Sequence, residues 1–304
     1  MTLKIAISGY GRMGKIRALH IDNNPLTTLT HIYDVNQDNI DRSDIKVCAS
    51  FEEVLESDID AIFISGYVKN AADYTIKAIN AGKHVFCEKP PAISLDEMIG
   101  VKEAADKTDR IVKYGFNHRF HYSVMEAKKI LDEGRIGDII LIRGVYGKAG
   151  SIDFQSNWRN YKEFSGGGIL IDQGIHMLDL FTYLSSDKFT CKGSMVRTLN
   201  WDIQCEDNVM AMLESDSGII SSIHSSATQW RHKFMIEIIG KKGHLVLDGI
   251  LSSTMSYAPE RLIVGDLTDE RNDISMGRPA EKTFEYDKDD SWSLELTEFV
   301  QAIN

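Results

Sequence analysis

The run Gly9-Tyr10-Gly11-Arg12-Met13-Gly14 constrains this chain more than any other stretch. It follows an apolar, strand-like segment, Leu3–Ile7, and opens a helical pattern carrying Ile16, Leu19 and His20. An acid, Asp34, stands 20 positions after Gly14. Strand, glycine turn, helix and spaced acid together form the context in which G-x-G-x-x-G binds a dinucleotide. Gly9 then allows the tight turn, Gly11 the close approach of backbone to a pyrophosphate, and Gly14 the packing of helix on sheet. The helix N-terminus adds unpaired N–H groups and the positive end of its dipole. Asp34, at the end of the second strand, can accept hydrogen bonds from an adenosine ribose and repels a 2′-phosphate. The next residues, Val35-Asn36-Gln37, supply no cation to offset that repulsion. The expected cofactor is NAD, with NADP disfavoured.

Length and pattern predict two domains. Within the first third, helical segments separate six strand-like ones: Leu3–Ile7, Leu29–Tyr33, Ile45–Cys48, Ala61–Ile64, His84–Cys87 and Ile111–Tyr114. Such alternation gives a parallel sheet with crossover helices. Ser50 with Glu53 and Ser94 with Glu97 fit capping boxes, and Gly82 is placed to end a helix. After about residue 118 the pattern changes. A helix over Ser123–Glu133 leads to a strand over Ile139–Tyr146, a polar loop over Gly147–Gly168 and a second helix over about Leu170–Leu184. Extended stretches follow at Phe189–Leu199, Asn208–Glu214, Gly218–Ser226, Phe234–Gly240, His244–Asp248 and Arg261–Val264. Short turns between them favour antiparallel pairing. The predicted class is α/β: an N-terminal Rossmann doubly wound parallel sheet over residues 1–118, then a C-terminal α+β domain over 119–304 with a large, open, mainly antiparallel sheet. A last helix, Ser291–Ile303, carries Trp292, Leu296, Phe299 and Val300 at helical spacing. The chain stops inside it, which is the expectation for a trimmed chain or fragment.

The net charge of −11 argues against nucleic acid and anionic membranes as partners. Acidic segments Asp266–Asp273 and Glu281–Asp290 read as solvated surface. No apolar run reaches 18 residues, and no basic, apolar leader precedes the first strand. Cys48, Cys87, Cys191 and Cys205 show no C-x-x-C spacing, which suits a reducing, cytoplasmic compartment. Cys87 reads as a buried, inert thiol. The nine histidines include no H-x-x-x-H or H-E-x-x-H, so no metal site is expected. His118 and His121 are among those read as surface or satisfied core residues.

Two further motifs carry chemistry. Glu88-Lys89-Pro90-Pro91 follows the fifth strand, and the carboxyl ends of strands are where open α/β sheets bind ligands. A lysine there can hydrogen-bond a substrate hydroxyl and stabilise the alkoxide that develops as hydride leaves. Pro90 is a candidate for a cis peptide bond. The second motif is Gly166-Gly167-Gly168 followed by Asp172, His176 and Asp179 at i, i+4, i+7, one face of an α-helix. A histidine can take a hydroxyl proton near neutral pH. Asp172 would orient the ring or touch substrate, and the glycines would let backbone approach a ligand.

Gly9–Gly14, Glu88-Lys89-Pro90 and Gly166–Asp179, in that order, resemble the Gfo/Idh/MocA oxidoreductases, the family of glucose–fructose oxidoreductase and inositol dehydrogenase. Gly115-Phe116-Asn117-His118-Arg119-Phe120 and Trp158-Arg159 support the resemblance. It implies a substrate domain whose open sheet mediates dimers or tetramers, so a homo-oligomer is expected. It implies oxidation of a secondary alcohol on a sugar, cyclitol or sugar nucleotide, with Lys89, Asp172 and His176 catalytic. Glu88 joins the cofactor-binding set, and Asn117 and Trp158 match positions near the nicotinamide. Ser65–Asn70 and His118 depart from the family pattern, in which a Thr-Pro stretch and an arginine are frequent.

The expected activity is thus an NAD(P)-dependent dehydrogenase acting on CH–OH groups, in which Lys89 and His176 meet one substrate oxygen. Two alternatives keep the dinucleotide: a glycosidase that oxidises transiently, and a non-catalytic, dinucleotide-responsive interaction protein. Lys148, Arg159 and Lys162 would suit an anionic substrate, but a solvated loop accounts for them better.

Overall fold

A computed structural model describes residues 2–150, 154, 156–273 and 277–304. Four positions of the predicted Gly147–Gly168 loop, 151–153 and 155, lie outside the described residues. The chain divides into two units: residues 1–116, 163–166 and 292–304 in one, 117–162 and 167–291 in the other. The last segment therefore groups with the first unit, although it comes last in sequence.

Unit one alternates β1 (Leu3–Ser8), α1 (Arg12–Asn23), β2 (Thr27–Tyr33), β3 (Lys46–Val47), α2 (Phe51–Glu56), β4 (Ala61–Ile64), α3 (Val68–Asn80), β5 (His84–Glu88), α4 (Leu95–Ala105) and β6 (Val112–Gly115). All pairs are parallel, in the order β3-β2-β1-β4-β5-β6. The order reverses between β1 and β4, and ligands bind at such a switch point. Alternate residues of β1 serve opposite faces: Ile5 and Ile7 pack with Ala18 and Ile21 of α1, whereas Ala6 packs with Phe51 and Val54 of α2. Both capping boxes form. Ser50 Oγ accepts from Glu53 N at 3.1 Å while Glu53 Oε2 accepts from Ala49 N at 2.7 Å. Ser94 and Glu97 repeat the exchange, with Ile93 N as the second donor. Gly82 takes φ +75° after α3.

Unit two begins with α5 (Tyr122–Asp132) and β7 (Ile139–Ala149). A short helix, α6 (Lys162–Ser165), has all but its first residue in unit one, and α7 (Ile175–Ser185) lies in unit two. Strands β8 (Phe189–Arg197), β9 (Asn208–Ser215), β10 (Ile220–Gln229), β11 (Lys233–Gly240), β12 (Gly243–Asp248), β13 (Glu260–Asp266) and β14 (Lys282–Tyr286) follow, and α8 (Ser291–Ile303) returns to unit one after its first residue. The sheet runs β14-β13-β12-β11-β7-β10-β9-β8, antiparallel except for the parallel β7–β10 pair. Residues of α5 and α7, among them Ala127, Ile130, Met177 and Phe181, form one core with the sheet's inner face. Strand β14 falls in the stretch read as solvated acid. It is an edge strand with exposed Lys282, Thr283 and Glu285, so its composition resembles surface while Phe284 and Tyr286 pack inward.

Leu296, Phe299 and Val300 of α8 pack among the residues of β1 and β4, with Phe299 edge-on to both Phe63 and Phe86. No helix of the described residues is long and apolar enough to cross a membrane.

Candidate active site

In unit one the glycine turn is built by steric exclusion. Gly9 sits at φ +94°, and a Cβ there would lie 2.4 Å from Gly66 N. A Cβ on Gly14 would lie 2.1 Å from Gly9 O. Gly11 is different: nothing lies within 4 Å of its missing Cβ. Two glycines are thus demanded by the fold, and the third leaves open space beside the start of α1. Gly11 is that helix's N-cap and makes no side-chain capping bond, and no acid occupies the first turn. The first-turn N–H groups of a helix have no acceptor within the helix, and with no acid in that turn they suit a phosphate.

Asp34 lies just past β2 and is only 7% exposed. Its Oδ2 accepts from Tyr10 N at 2.5 Å, and its Oδ1 from Asn36 N at 2.8 Å and Asn39 Nδ2 at 3.1 Å. The carboxylate is locked beside the glycine turn with lone pairs left for further donors. Neighbouring cations are engaged by acids: Lys15 by Asp41 at 2.6 Å, and Arg42 by Asp22 and Asp44 at 2.7 Å each. These features fit an adenosine with free ribose hydroxyls better than one bearing a 2′-phosphate.

Glu88 ends β5 and Lys89 follows it. Glu88 is buried, with Oε1 accepting from Arg17 Nε at 2.6 Å. Lys89 is half-buried, and the Lys89–Pro90 bond is cis. Burial pushes the Cys87 thiol up to about 12, so it stays a thiol at neutral pH.

In unit two the expected α-helix from Leu170 starts differently. Leu170–Gly174 forms a π-helical stretch, and α-geometry begins only at Ile175. The wider turn changes the phase between Asp172 and His176, and such bulges cluster at functional sites. Glu206 anchors the entry: its carboxylate accepts from Gly168 N at 2.8 Å and Leu170 N at 3.2 Å. A Cβ on Gly168 would lie 2.1 Å from Glu206 O, and one on Gly166 would lie 2.8 Å from Ile93 Cα. Contrary to expectation, these two glycines admit protein backbone rather than a ligand.

Each polar residue of the motif has its own partner. Asp172 pairs with Arg159 at 3.4 Å and accepts from Gln173 Nε2 at 3.2 Å. Asp179 takes both arms of Arg119, Nε at 2.8 Å. His176, 3% exposed, stacks on His118, with ring centroids 3.8 Å apart and planes 13° from parallel. The Arg119–Asp179 clamp ties the 117–120 turn to α7 and so presents His118 to His176.

His118 is a satisfied core histidine, one of the two readings the sequence left open, and it lies face to face with the motif histidine, a pairing the sequence did not show. Its Nδ1 is 3.2 Å from Asn117 Oδ1 and its Nε2 3.0 Å from the Tyr146 hydroxyl. Asn117 Nδ2 donates to Ser291 Oγ at 3.1 Å, which leaves Oδ1 as the acceptor. With Asn117 Oδ1 as acceptor, Nδ1 is a protonated nitrogen of His118, and Nε2 lies within hydrogen-bond distance of the Tyr146 hydroxyl. Burial, then Tyr257 and Asp172, push the Tyr146 phenol far above its ordinary range, so it remains a donor. Tyr257 meets Tyr146 edge-on at 5.3 Å and His232 at 4.6 Å. Arg159 lies 4.4 Å over the Trp158 ring. The only sequence signal for His118 was its place in the Gly115–Phe120 run. Nothing at residues 146, 206 or 257 pointed to a site, because their partners lie far along the chain.

Unit two thus offers a buried imidazole held flat, a phenol and a carboxylate, which together suit hydroxyl recognition and proton transfer. Among the described residues, no cluster of three or more His, Cys, Asp or Glu could hold a metal.

Two family models match the chain. One, described as an oxidoreductase family with an NAD-binding Rossmann fold, covers residues 3–116, and the other, a GFO/IDH/MocA C-terminal domain, covers 124–246. The chain is 32% identical over 203 residues to a scyllo-inositol 2-dehydrogenase (NAD(+)) of Bacillus subtilis, covering 64% of this chain and 57% of that protein. It is 26% identical over 270 residues to a myo-inositol 2-dehydrogenase of Thermotoga maritima, covering 85% and 79%. A solved structure of levoglucosan dehydrogenase in complex with NADH superposes with a TM-score of 0.88 at 23% identity, covering 100% of this chain and 90% of the other. At that identity the likeness speaks for the fold.

Proposed function

This chain belongs to the Gfo/Idh/MocA family of oxidoreductases, and from that premise we propose that it moves hydride between NAD and a secondary alcohol of a sugar, cyclitol or sugar nucleotide. One observation carries the reading: a chain with a dinucleotide turn in unit one holds, in unit two, a buried imidazole stacked at 3.8 Å on a second one. The relatives named for inositols support the substrate class.

The turn Gly9–Gly14 holds the cofactor's phosphates through backbone N–H groups, and Asp34 accepts from the ribose hydroxyls. Asn117 and Trp158 belong to its nicotinamide end. The bound cofactor supplies the hydride acceptor. Lys89 donates to the substrate hydroxyl oxygen and stabilises negative charge as it develops there. His176 takes the hydroxyl proton, and Asp172 orients substrate and base. Arg159 is neutralised by Asp172, which favours neutral polyols over anionic sugars.

The test is a panel of polyols, aldoses and nucleotide sugars with NAD and with NADP, following reduced cofactor. Net reduction with NAD is expected, and K89M should lose turnover by about 10²–10³-fold while still binding NADH. Undiminished turnover in K89M removes Lys89 from the reaction. Recycled NAD with glycoside cleavage would point to transient oxidation. NAD-dependent partner binding without turnover would point to an interaction protein.

The outer face of the unit-two sheet exposes Met195, Met210, Met212 and Ile220. Exposed apolar area of this kind marks association, and a second copy of the chain is the proposed occupant. Replacing Met212 by Asp should lower the oligomeric state measured by sedimentation.

A further inference from the structure

Helix α8 brings a buried carboxylate to the strand end that carries Lys89. Arg17, on α1, is 1% exposed, with its guanidinium 4.3 Å from the Phe86 ring centroid and 4.5 Å from that of Trp292. Nε donates to Glu88 Oε1 at 2.6 Å and Nη2 to Glu295 Oε2 at 2.7 Å. Gly115, the β6 register partner of Glu88, makes the room. A Cβ there would lie 2.8 Å from Glu88 Oε2 and 3.1 Å from Arg17 Nη2. One guanidinium thus serves two carboxylates in the interior, where a surplus negative charge is costly. Glu295 Oε1 has no hydrogen-bond partner among the described residues, so it is the atom where a proton removes that surplus. Hydride transfer as described uses none of this network.

We propose that Arg17 and Glu295 are positioning residues for Lys89: through Arg17, α8 grips the Glu88 carboxylate and with it the end of β5, and the proton on Glu295 sets the strength of that grip. The inference rests on the reading that Lys89 meets the substrate hydroxyl. With Glu295 protonated, the guanidinium is matched by Glu88 alone. Once Glu295 ionises, two carboxylates compete for one cation and repel each other. The charged groups acting on Glu295 are Arg17 from α1, Glu88 from β5 and Lys113 from β6, and Lys113 also pairs with Glu298 on α8. Burial foremost, with Glu88, pushes the Glu295 carboxyl up to about 7 against the pull of Arg17 and Lys113. A value raised by folding contributes stability that is complete at low pH and is lost as pH rises through about 7.

The experiment is ¹³C-dimethylation of the lysines in the full chain, with the Lys89 resonance assigned through K89R and followed against pH. Wild type should show an inflection near pH 7 beside the lysine's own titration. E295Q, which keeps the size and the Arg17 partner but cannot ionise, should lose that inflection. E295L, which removes the acceptor, should displace the resonance at every pH and lower kcat by about tenfold with KM unchanged. Identical titrations in wild type and E295Q overturn the proposal, and that comparison stands even where E295L fails to fold. If K89M keeps full turnover while the inflection persists, the catalytic role of Lys89 falls and the linkage survives. If K89M loses turnover and no inflection exists, the linkage alone falls.

Discussion

The two units build their sites from different material. Unit one uses backbone: Gly9 and Gly14 are forced by contacts at 2.4 and 2.1 Å, and Gly11 leaves the helix start open. Unit two uses side chains gathered from distant segments: His118, Tyr146, Asp172 and His176, held by Arg119–Asp179, Arg159 and Glu206. A backbone site tolerates almost no change at its glycines and almost any change between them. A side-chain site should degrade in steps, each set by how far a substitution shifts the histidine stack.

The largest effect is expected at the proton acceptor. H176Q should lower kcat by about 10²–10⁴-fold with NADH affinity unchanged, read by steady-state kinetics and fluorescence titration. Equal losses of NADH binding and kcat would mean that the two sites do not divide the work in this way. Next come the glycines. G14A should destabilise unit one by about 3 kcal/mol or more, because its Cβ meets backbone that cannot move aside. G11A should keep the wild-type melting temperature and lose only NADH affinity. If G11A and G14A melt alike, the division between glycines the fold demands and the glycine that faces open space is wrong. H118A should cost up to about 10²-fold in kcat through misplacement of His176. H118F, which keeps a flat ring against it, should recover part of that loss, and equal losses in both would reject the stack as the positioning element. The smallest effect is expected for Y146F. It strips the hydroxyl partner from His118 Nε2 and should cost about 1–3 kcal/mol in stability by denaturant unfolding.

Much of the fold was legible because local rules dictated it. The alternation of apolar strands with capped helices gave the parallel sheet, and Ser50–Glu53 and Ser94–Glu97 cap as their spacing requires. The glycine turn was legible because steric exclusion permits only glycine at two of its positions. Strand β14 escaped notice because an edge strand can be polar on most of its length. The π-helical start of the Asp172 segment escaped because a single widened turn leaves no period in the sequence. His118 escaped because its meaning lies in a ring 58 positions away. The grouping of α8 with unit one escaped because its apolar spacing says that it packs, not where.

The sequence by itself determined a parallel nucleotide-binding sheet and a second domain dominated by antiparallel strands, since periodicity, caps and glycine sterics act over a few residues. Only the tertiary structure decided which histidine faces His176, which proton His118 carries and which carboxylate shares Arg17 with Glu88. Those outcomes depend on contacts between residues tens to hundreds of positions apart. A short-range pattern cannot encode them, because the same local sequence is compatible with many partners until the core has closed.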